Sequence, residues 1–198
     1  MNKSTNIAAT TAAVTNRIVT SANMKVGTYT IANASPVWAG GAKITVTHSQ
    51  VGGVTDTLGT IALVGKGLHG EAVTETITPL DGTTATSTKI FRSITSATGA
   101  GWVINTGNDT IVIGVAADSY AAVGGGMLHS VIVNNSVAAA ITVSDSSGTL
   151  ATIPASQAAG TEYVYDLPYS GFLKVATTST NDVTAVHTPG VPSLYAMA

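Results

Sequence analysis

The stretch Lys43-Ile44-Thr45-Val46-Thr47-His48 alternates polar and apolar residues with a period of two. Successive side chains of a β-strand point to opposite faces, so this pattern directs Ile44 and Val46 toward a core. Threonine and valine have restricted χ1 angles and favour the pleated surface of a sheet. The stretch therefore predicts a half-buried β-strand.

Similar short strands recur through the rest of the chain, separated by turns rich in Gly, Pro, Asn and Asp. In the first half they are predicted at residues 60–64, 73–78, 89–94 and 110–115. In the second half they are predicted at residues 128–133, 140–144, 149–153, 162–167, 172–177 and 183–187. This spacing predicts an all-β fold: two antiparallel β-sandwich domains in tandem, Ig-like or jelly-roll-like, with extended N- and C-terminal arms.

Composition divides the chain into five segments. Residues 1–26 are rich in Ala, Thr and Asn and are predicted to be an N-terminal arm, with a frayed terminus or a first edge strand as the alternatives. Residues 27–117 form the first sandwich, and residues 118–126 are a Gly-rich hinge that ends in three consecutive glycines. Residues 127–187 form a second, smaller β-domain. Residues 188–198 are an extended C-terminal tail, with apolar anchors at Val191, Leu194 and Tyr195.

The surface of this chain must be covered by hydroxyls and small residues. Of its 198 residues 32 are threonine and only 9% are charged, whereas a solvated surface normally carries roughly a quarter to a third charged residues. A low-charge surface of this kind suits repeated contact with other protein. Because cysteine is absent, disulfides, thiolate metal sites and cysteine nucleophiles are excluded.

Charge and hydropathy also limit the partners. Eight basic residues are scattered among ten acidic ones, which predicts no direct binding of nucleic acid. No run of about 18 apolar residues is uninterrupted, which predicts no membrane span. The first residues lack the apolar block of a secretory signal.

The motifs that could carry chemistry each have a simpler structural explanation. Residues 65–70 match G-x-G-x-x-G, but an alternating strand follows where a dinucleotide site needs a helix, so a hairpin loop is favoured. Glu71 and Glu75 would lie about 13 Å apart on a strand, too far for a carboxylate pair, and are expected to be solvated. The four histidines, His48, His69, His129 and His187, have no metal-ligand spacing. We therefore predict no catalytic residue, no cofactor and no metal site.

Two further sets of residues leave alternatives open. Loop oxygens at Asp145-Ser146-Ser147-Gly148 and at Asn108-Asp109 could hold calcium, although Asx-turn chemistry explains both loops without a metal. An aromatic set could form a sugar-stacking patch, although a hydrophobic core with one Tyr-rich face is the commoner explanation. The set consists of Tyr163, Tyr165, Tyr169 and Phe172.

Two groups of segments carry a resemblance to a known class of protein. The first runs from Gly65-Lys66-Gly67 through Glu71-Ala72-Val73-Thr74-Glu75-Thr76-Ile77 and Gly82-Thr83-Thr84 to Lys89-Ile90-Phe91-Arg92-Ser93-Ile94-Thr95. It resembles a β-sandwich module of tailed-bacteriophage virion proteins. The second comprises residues 128–134, 141–145, 165–166, 171–175 and 182–186, and is similar to another phage structural module. The resemblance rests on patterns made mostly of Thr, Val and Gly.

The resemblance implies a non-enzymatic virion structural protein. The leading hypothesis is a capsid decoration protein, also called a cement protein. Such a protein is made in the bacterial cytoplasm and binds the outer capsid surface across subunits of the major capsid protein. Its other partners would be its own copies, by analogy as a trimer. The alternatives are a neck or tail component of the same kind of virion, or a carbohydrate-binding or adhesin module.

Overall fold

A computed structural model describes residues 1–7, 14–33, 40–51, 56–105, 107–177 and 181–190. These residues form antiparallel β-sheets and contain no α-helix. The strands are β1 Lys3–Ile7, β2 Val14–Asn23, β3 Ala42–Ser49, β4 Thr60–Lys66, β5 Ala72–Ile77, β6 Thr84–Phe91, β7 Ser93–Ala100, β8 Thr110–Val115, β9 Ser119–Val123, β10 Gly126–Val133, β11 Ile141–Asp145, β12 Gly148–Ile153, β13 Glu162–Tyr169, β14 Phe172–Thr177 and β15 Val183–Pro189. The predicted all-β class is confirmed.

The chain divides into two compact units whose segments alternate along the sequence. The terminal unit takes its described residues from Met1–Ala12, Val37–Gly41 and Ala117–Ala198. The internal unit takes its described residues from Ala13–Pro36 and Ala42–Ala116.

The terminal unit contains two four-stranded sheets, with strand orders β1-β15-β10-β13 and β12-β11-β14-β9. Alternating side chains from both sheets enter one hydrophobic cluster, as the period-two pattern requires. Its fully buried members include Ile7, Leu128, Val131, Val143, Ile153, Leu173, Val175 and Val183. Pro168 lies in the edge strand β13, where a missing N–H costs no ladder hydrogen bond.

The internal unit contains a four-stranded sheet, β2-β8-β3-β6, and a three-stranded sheet, β5-β4-β7. The stretch Lys43–His48 lies in β3, an inner strand of the larger sheet, where Val46 is fully buried. Ile61 and Leu63 of the central strand β4 are also fully buried.

One predicted strand is divided in the structure. Residues 89–94 were expected to form a single strand, but the chain leaves β6 at Phe91 and enters β7, in the other sheet, at Ser93. The corner is held by Arg92, whose N–H donates to the carbonyl of Lys66 at 2.7 Å. Apolar residues at 90, 91 and 94 fit a single strand or a corner equally well, so periodicity alone did not separate them.

The expected arm and hinge also differ from the structure. Within residues 1–26, β1 pairs with β15 and β2 pairs with β8, because Ile7, Ile18 and Val19 provide buried apolar side chains. Within residues 118–126, β9 pairs with β14 and Gly126 begins β10. The C-terminal anchors predicted at residues 191, 194 and 195 lie outside the described residues.

Candidate functional site

The outer face of one sheet in the terminal unit carries a β-bulge at His129. The register of β10 against β15 shifts between Leu128 and Ser130, so His129 lies outside the regular ladder. The register against β13 shifts at the same place, next to Asp166. Asp166 has a φ of 47°, in the left-handed region that residues other than glycine seldom adopt. Bulges redirect side chains and are frequent beside functional sites.

The bulge places four polar side chains in one hydrogen-bonded chain, which we call the His129 network: Asn2, His129, Asp166 and Thr188. His129 Nδ1 lies 2.8 Å from Asp166 Oδ1, and His129 Nε2 lies 2.7 Å from Thr188 Oγ1. Thr188 Oγ1 also lies 2.7 Å from Asn2 Oδ1, to which its hydroxyl donates. The network joins residues from β10, β13, the last strand β15 and the segment before β1.

The order of groups in the network determines what it can do chemically. In the tautomer with Nδ1–H, the Asp166 carboxylate accepts this proton and the Nε2 lone pair faces Thr188 Oγ1. The single hydroxyl proton of Thr188 lies toward Asn2 Oδ1 and reaches Nε2 by rotation about the Cβ–Oγ1 bond. Carboxylate, imidazole and hydroxyl follow one another as in a catalytic triad. An imidazole lone pair beside a hydroxyl can take its proton while the oxygen attacks a carbonyl carbon.

The network is open to water. The His129 side chain is 30% exposed and that of Asp166 is 67% exposed, so their pairing contributes little to stability. Thr188 also lines an open groove of about 790 Å³ within the terminal unit. The groove's other lining residues are mostly small: Gly124, Gly125, Gly126, Met127, Tyr169, Ser170, Gly171, Pro189 and Gly190.

The neighbouring histidine, His187, faces the interior instead. It is 1% exposed, with Nε2 at 3.1 Å from Thr5 Oγ1 and Nδ1 at 3.3 Å from the Tyr169 hydroxyl. Burial raises the pKa of Tyr169. His187 thus links β1, β13 and β15 within the unit, which is a structural role.

The loop proposed as one calcium site is an Asx turn. Asp145 Oδ1 accepts the N–H groups of Ser147 and Gly148, and Oδ2 accepts the N–H and hydroxyl of Ser170. Burial would raise the pKa of Asp145, but hydrogen bonds from Ser170 and Ser147 outweigh it and hold that pKa below its ordinary value. Both carboxylate oxygens already accept hydrogen bonds, which argues against a calcium ligand here.

The other proposed calcium loop leads to a buried hydrogen bond between Asp109 and His48 in the internal unit. Asp109 Oδ2 lies 2.9 Å from His48 Nε2, and Asp109 Oδ1 accepts the N–H of Val51 at 2.7 Å. Neither side chain of the pair is exposed. Burial would raise the pKa of Asp109, but the bonds from Val51 and His48 lower it below its ordinary value. The N–H of Gly82 approaches His48 Nδ1 at 3.3 Å, so the pair also holds the β5–β6 turn.

The glycine-rich loop is a hairpin, as predicted. Lys66 pairs with Ala72 across β4 and β5, and the loop between them bends at Gly70, which has a φ of 85°. The two glutamates were expected to be solvated: Glu71 is exposed and Glu75 is half-buried, and each also accepts backbone hydrogen bonds. Glu71 Oε2 accepts the N–H of His69 in the hairpin. Glu75 accepts the N–H groups of Thr88 and Lys89, and so links β5 to β6.

The tyrosines of the aromatic set pack in or against the core of the terminal unit. Tyr163 and Tyr165 stack on each other with ring centroids 6.4 Å apart, and both pack against the hydrophobic cluster of the terminal unit. Tyr169 is only 4% exposed. Phe172 makes an edge-to-face contact with Tyr120.

The His129 network could not be recognised in the sequence. Its members are distant in the chain and have no local spacing, and only strand register brings them together. Within the described part of the chain, no three His, Cys, Asp or Glu side chains are grouped so that they could hold a metal ion. No helix in that part is long and apolar enough to cross a membrane. Comparison with protein-family models, curated proteins and solved structures gives no match.

Proposed function

We propose that this chain is a non-enzymatic structural protein of a tailed-bacteriophage virion, most specifically a capsid decoration protein. In this role it binds the outer capsid surface across subunits of the major capsid protein and stabilises the head. Repetition in a closed array makes individually weak contacts strong together. Its partners are the major capsid protein and its own copies, by analogy as a trimer.

The observation that carries the proposal is the low-charge, threonine-rich surface of the strands, seen best on β5 and β6. On β6, Thr84, Thr86 and Thr88 are exposed while Ala85 and Ser87 between them are buried. A similar row on β5 and just beyond it consists of Thr74, Thr76 and Thr78. Such faces offer hydrogen-bonding groups with little charge to desolvate, which suits contact with another protein surface.

The fold is compatible with the same role. We infer that each unit is a β-sandwich, since each has two antiparallel sheets with alternating buried residues. The segments that resemble phage virion modules contain all of β5 and β11 and parts of β4, β6, β7, β10, β13, β14 and β15, and they leave out β12.

The test is binding to shells of the phage whose genome encodes the protein. Purified protein is mixed with expanded capsids that lack it and sedimented at physiological salt. We expect saturable co-sedimentation and, by cryo-electron microscopy of the particle, hundreds of copies on the outer surface. Failure to co-sediment, with no density on the shell, would refute the decoration role. A dozen or fewer copies at the neck or tail would assign the chain to that part of the virion instead.

A further inference from the structure

We propose that the His129 network forms a covalent ester cross-link between the Thr188 side-chain oxygen and the Asn2 side-chain carbonyl carbon, with release of ammonia. The cross-link is a self-modification that joins the segment before the first strand to the last strand. It goes beyond the proposed function and does not depend on it.

The reacting groups are already neighbours. Lys3 pairs with His187 across β1 and β15, so Asn2 and Thr188 are the next position along the same antiparallel pair. Thr188 Oγ1 is 2.7 Å from Asn2 Oδ1. Since a C=O bond is about 1.23 Å long, the Asn2 carbonyl carbon lies within about 4 Å of the hydroxyl oxygen. A small side-chain rotation brings it to the about 3–3.5 Å needed for attack.

The base and its orienting group are also in place. His129 Nε2 is 2.7 Å from the hydroxyl that must lose its proton, and Asp166 holds the opposite ring nitrogen at 2.8 Å. The left-handed backbone of Asp166 at the bulge places its carboxylate here. Such a conformation costs free energy and persists only where the surrounding structure enforces it. A regular ladder would place neither residue in this way.

The step balances without any other reactant. The Thr188 hydroxyl proton first rotates from Asn2 Oδ1 to His129 Nε2. Thr188 Oγ1 then attacks Asn2 Cγ while Nε2 takes that proton, giving a tetrahedral intermediate. Its collapse breaks the C–N bond, and His129 returns the proton to the departing nitrogen, which leaves as ammonia. The product is one new C–O bond. The chain becomes lighter by one ammonia, about 17 Da.

The same sheet contains a matched pair without a base. Thr184 lies on the same strand, and its Oγ1 is 3.3 Å from Asn134 Oδ1 and 3.0 Å from Asn134 Nδ2. Among the hydrogen bonds described for Thr184 there is none to an imidazole. The Thr184–Asn134 pair should therefore remain unlinked in the same molecules, and it serves as an internal control.

The experiment measures the intact mass of the folded, full-length protein until the mass is constant, followed by trypsin digestion and tandem mass spectrometry. We expect a mass lower by about 17 Da than the sequence requires. Since cleavage follows Lys3 and Lys174, the digest should contain Met1–Lys3 joined to residues 175–198. Thr188→Val should abolish this product, and Thr184→Val should leave it unchanged. His129→Gln should slow its formation by about 10²–10⁴-fold, the usual contribution of a general base.

Each other result overturns the proposal. A folded wild-type protein with its full mass shows that no ester forms. Loss of ammonia that persists in Thr188→Val, or that also occurs in urea, identifies cyclisation of Asn2 onto its own backbone. Conversion of Asn2 to Asp without a joined peptide shows that water, and not Thr188, attacks the amide.

Discussion

The Asp145→Asn substitution tests whether one buried carboxylate holds together two turns of the terminal unit. Asp145 accepts four hydrogen bonds, two of them from Ser170 at 2.8 and 3.1 Å. Asparagine retains one carbonyl oxygen for two of these donors but directs an NH₂ group at the other two. Hydrogen bonds to a charged group contribute about 1.5–3 kcal/mol each, and a buried donor left unsatisfied costs about 1–3 kcal/mol. We therefore expect the variant to lose about 3 kcal/mol of unfolding free energy at pH 7.

The pH dependence provides a second readout of the same contact. The pKa of Asp145 is lowered in the folded state from its ordinary value of 3.8. Its contribution is therefore complete above that ordinary value and is lost as the pH falls through the lower, folded-state pKa. The difference in stability between wild type and Asp145→Asn should be largest near neutral pH and should shrink in acid below pH 3.8.

The assay is urea unfolding followed by hydrogen-exchange mass spectrometry of the β11–β12 hairpin, which reports on the terminal unit alone. Asp118→Asn is the matched control, because Asp118 pairs with Lys174 at a partly exposed site in the same unit. That control should cost no more than about 0.5 kcal/mol. A loss below about 1 kcal/mol in Asp145→Asn, or a difference that grows in acid, would refute the reasoning.

Three further substitutions probe the internal unit. Asp109→Asn turns an NH₂ group toward one of its two donors, the N–H of Val51 or His48 Nε2, and urea unfolding should show a loss of about 2–3 kcal/mol; a loss under about 0.5 kcal/mol would mean that the contact is not buried in solution. Glu75→Gln removes the charge that accepts two N–H groups of β6, and hydrogen exchange at residues 88 and 89 should accelerate while the rest of β6 stays protected. Gly114→Ala places a methyl group 2.1 Å from the carbonyl oxygen of residue 14, so the melting temperature should fall by several degrees. The control is Gly27→Ala, which has no atom within 4 Å of the added carbon and should leave the melting temperature unchanged.

Much of the fold follows from the period-two pattern. That pattern predicted β3, β4, β5 and β8 to within two residues, because their buried side chains alternate regularly. It also predicted the six strands from β10 to β15, but it gave no pairing, since pairing across a sheet has no local signature. The strands β1, β2 and β9 were missed, as was most of β6 and β7. β1 buries only Ile7 and β2 only Ile18 and Val19 among their large apolar side chains, and β9 buries four consecutive residues, so none of the three shows a clear period of two.

The site could not be predicted, and the reason is geometric. A bulge shifts every following side chain relative to the neighbouring strand, and nothing in the residues around His129 requires one. Asp166 was expected to continue a regular strand, yet it has a positive φ. Asn2 was assigned to an arm, where no fixed neighbour was expected. The network follows only from the bulge at His129, the positive φ of Asp166 and the pairing of β1 with β15, and none of these has a local signal in the sequence.

The pairing of β1 with β15 has a consequence for how the protein is made. Lys3 can pair with His187 only after residue 187 has left the ribosome, whereas every strand of the internal unit is available once residue 116 has emerged. Synthesis therefore favours a fixed sequence of events, in which the internal unit folds first while the N-terminal segment waits unpaired. In a nascent chain halted before residue 183, the internal unit should be folded and the N-terminal segment should be sensitive to proteases. Once β15 is released from the ribosome, it should pair with β1 and protect that segment.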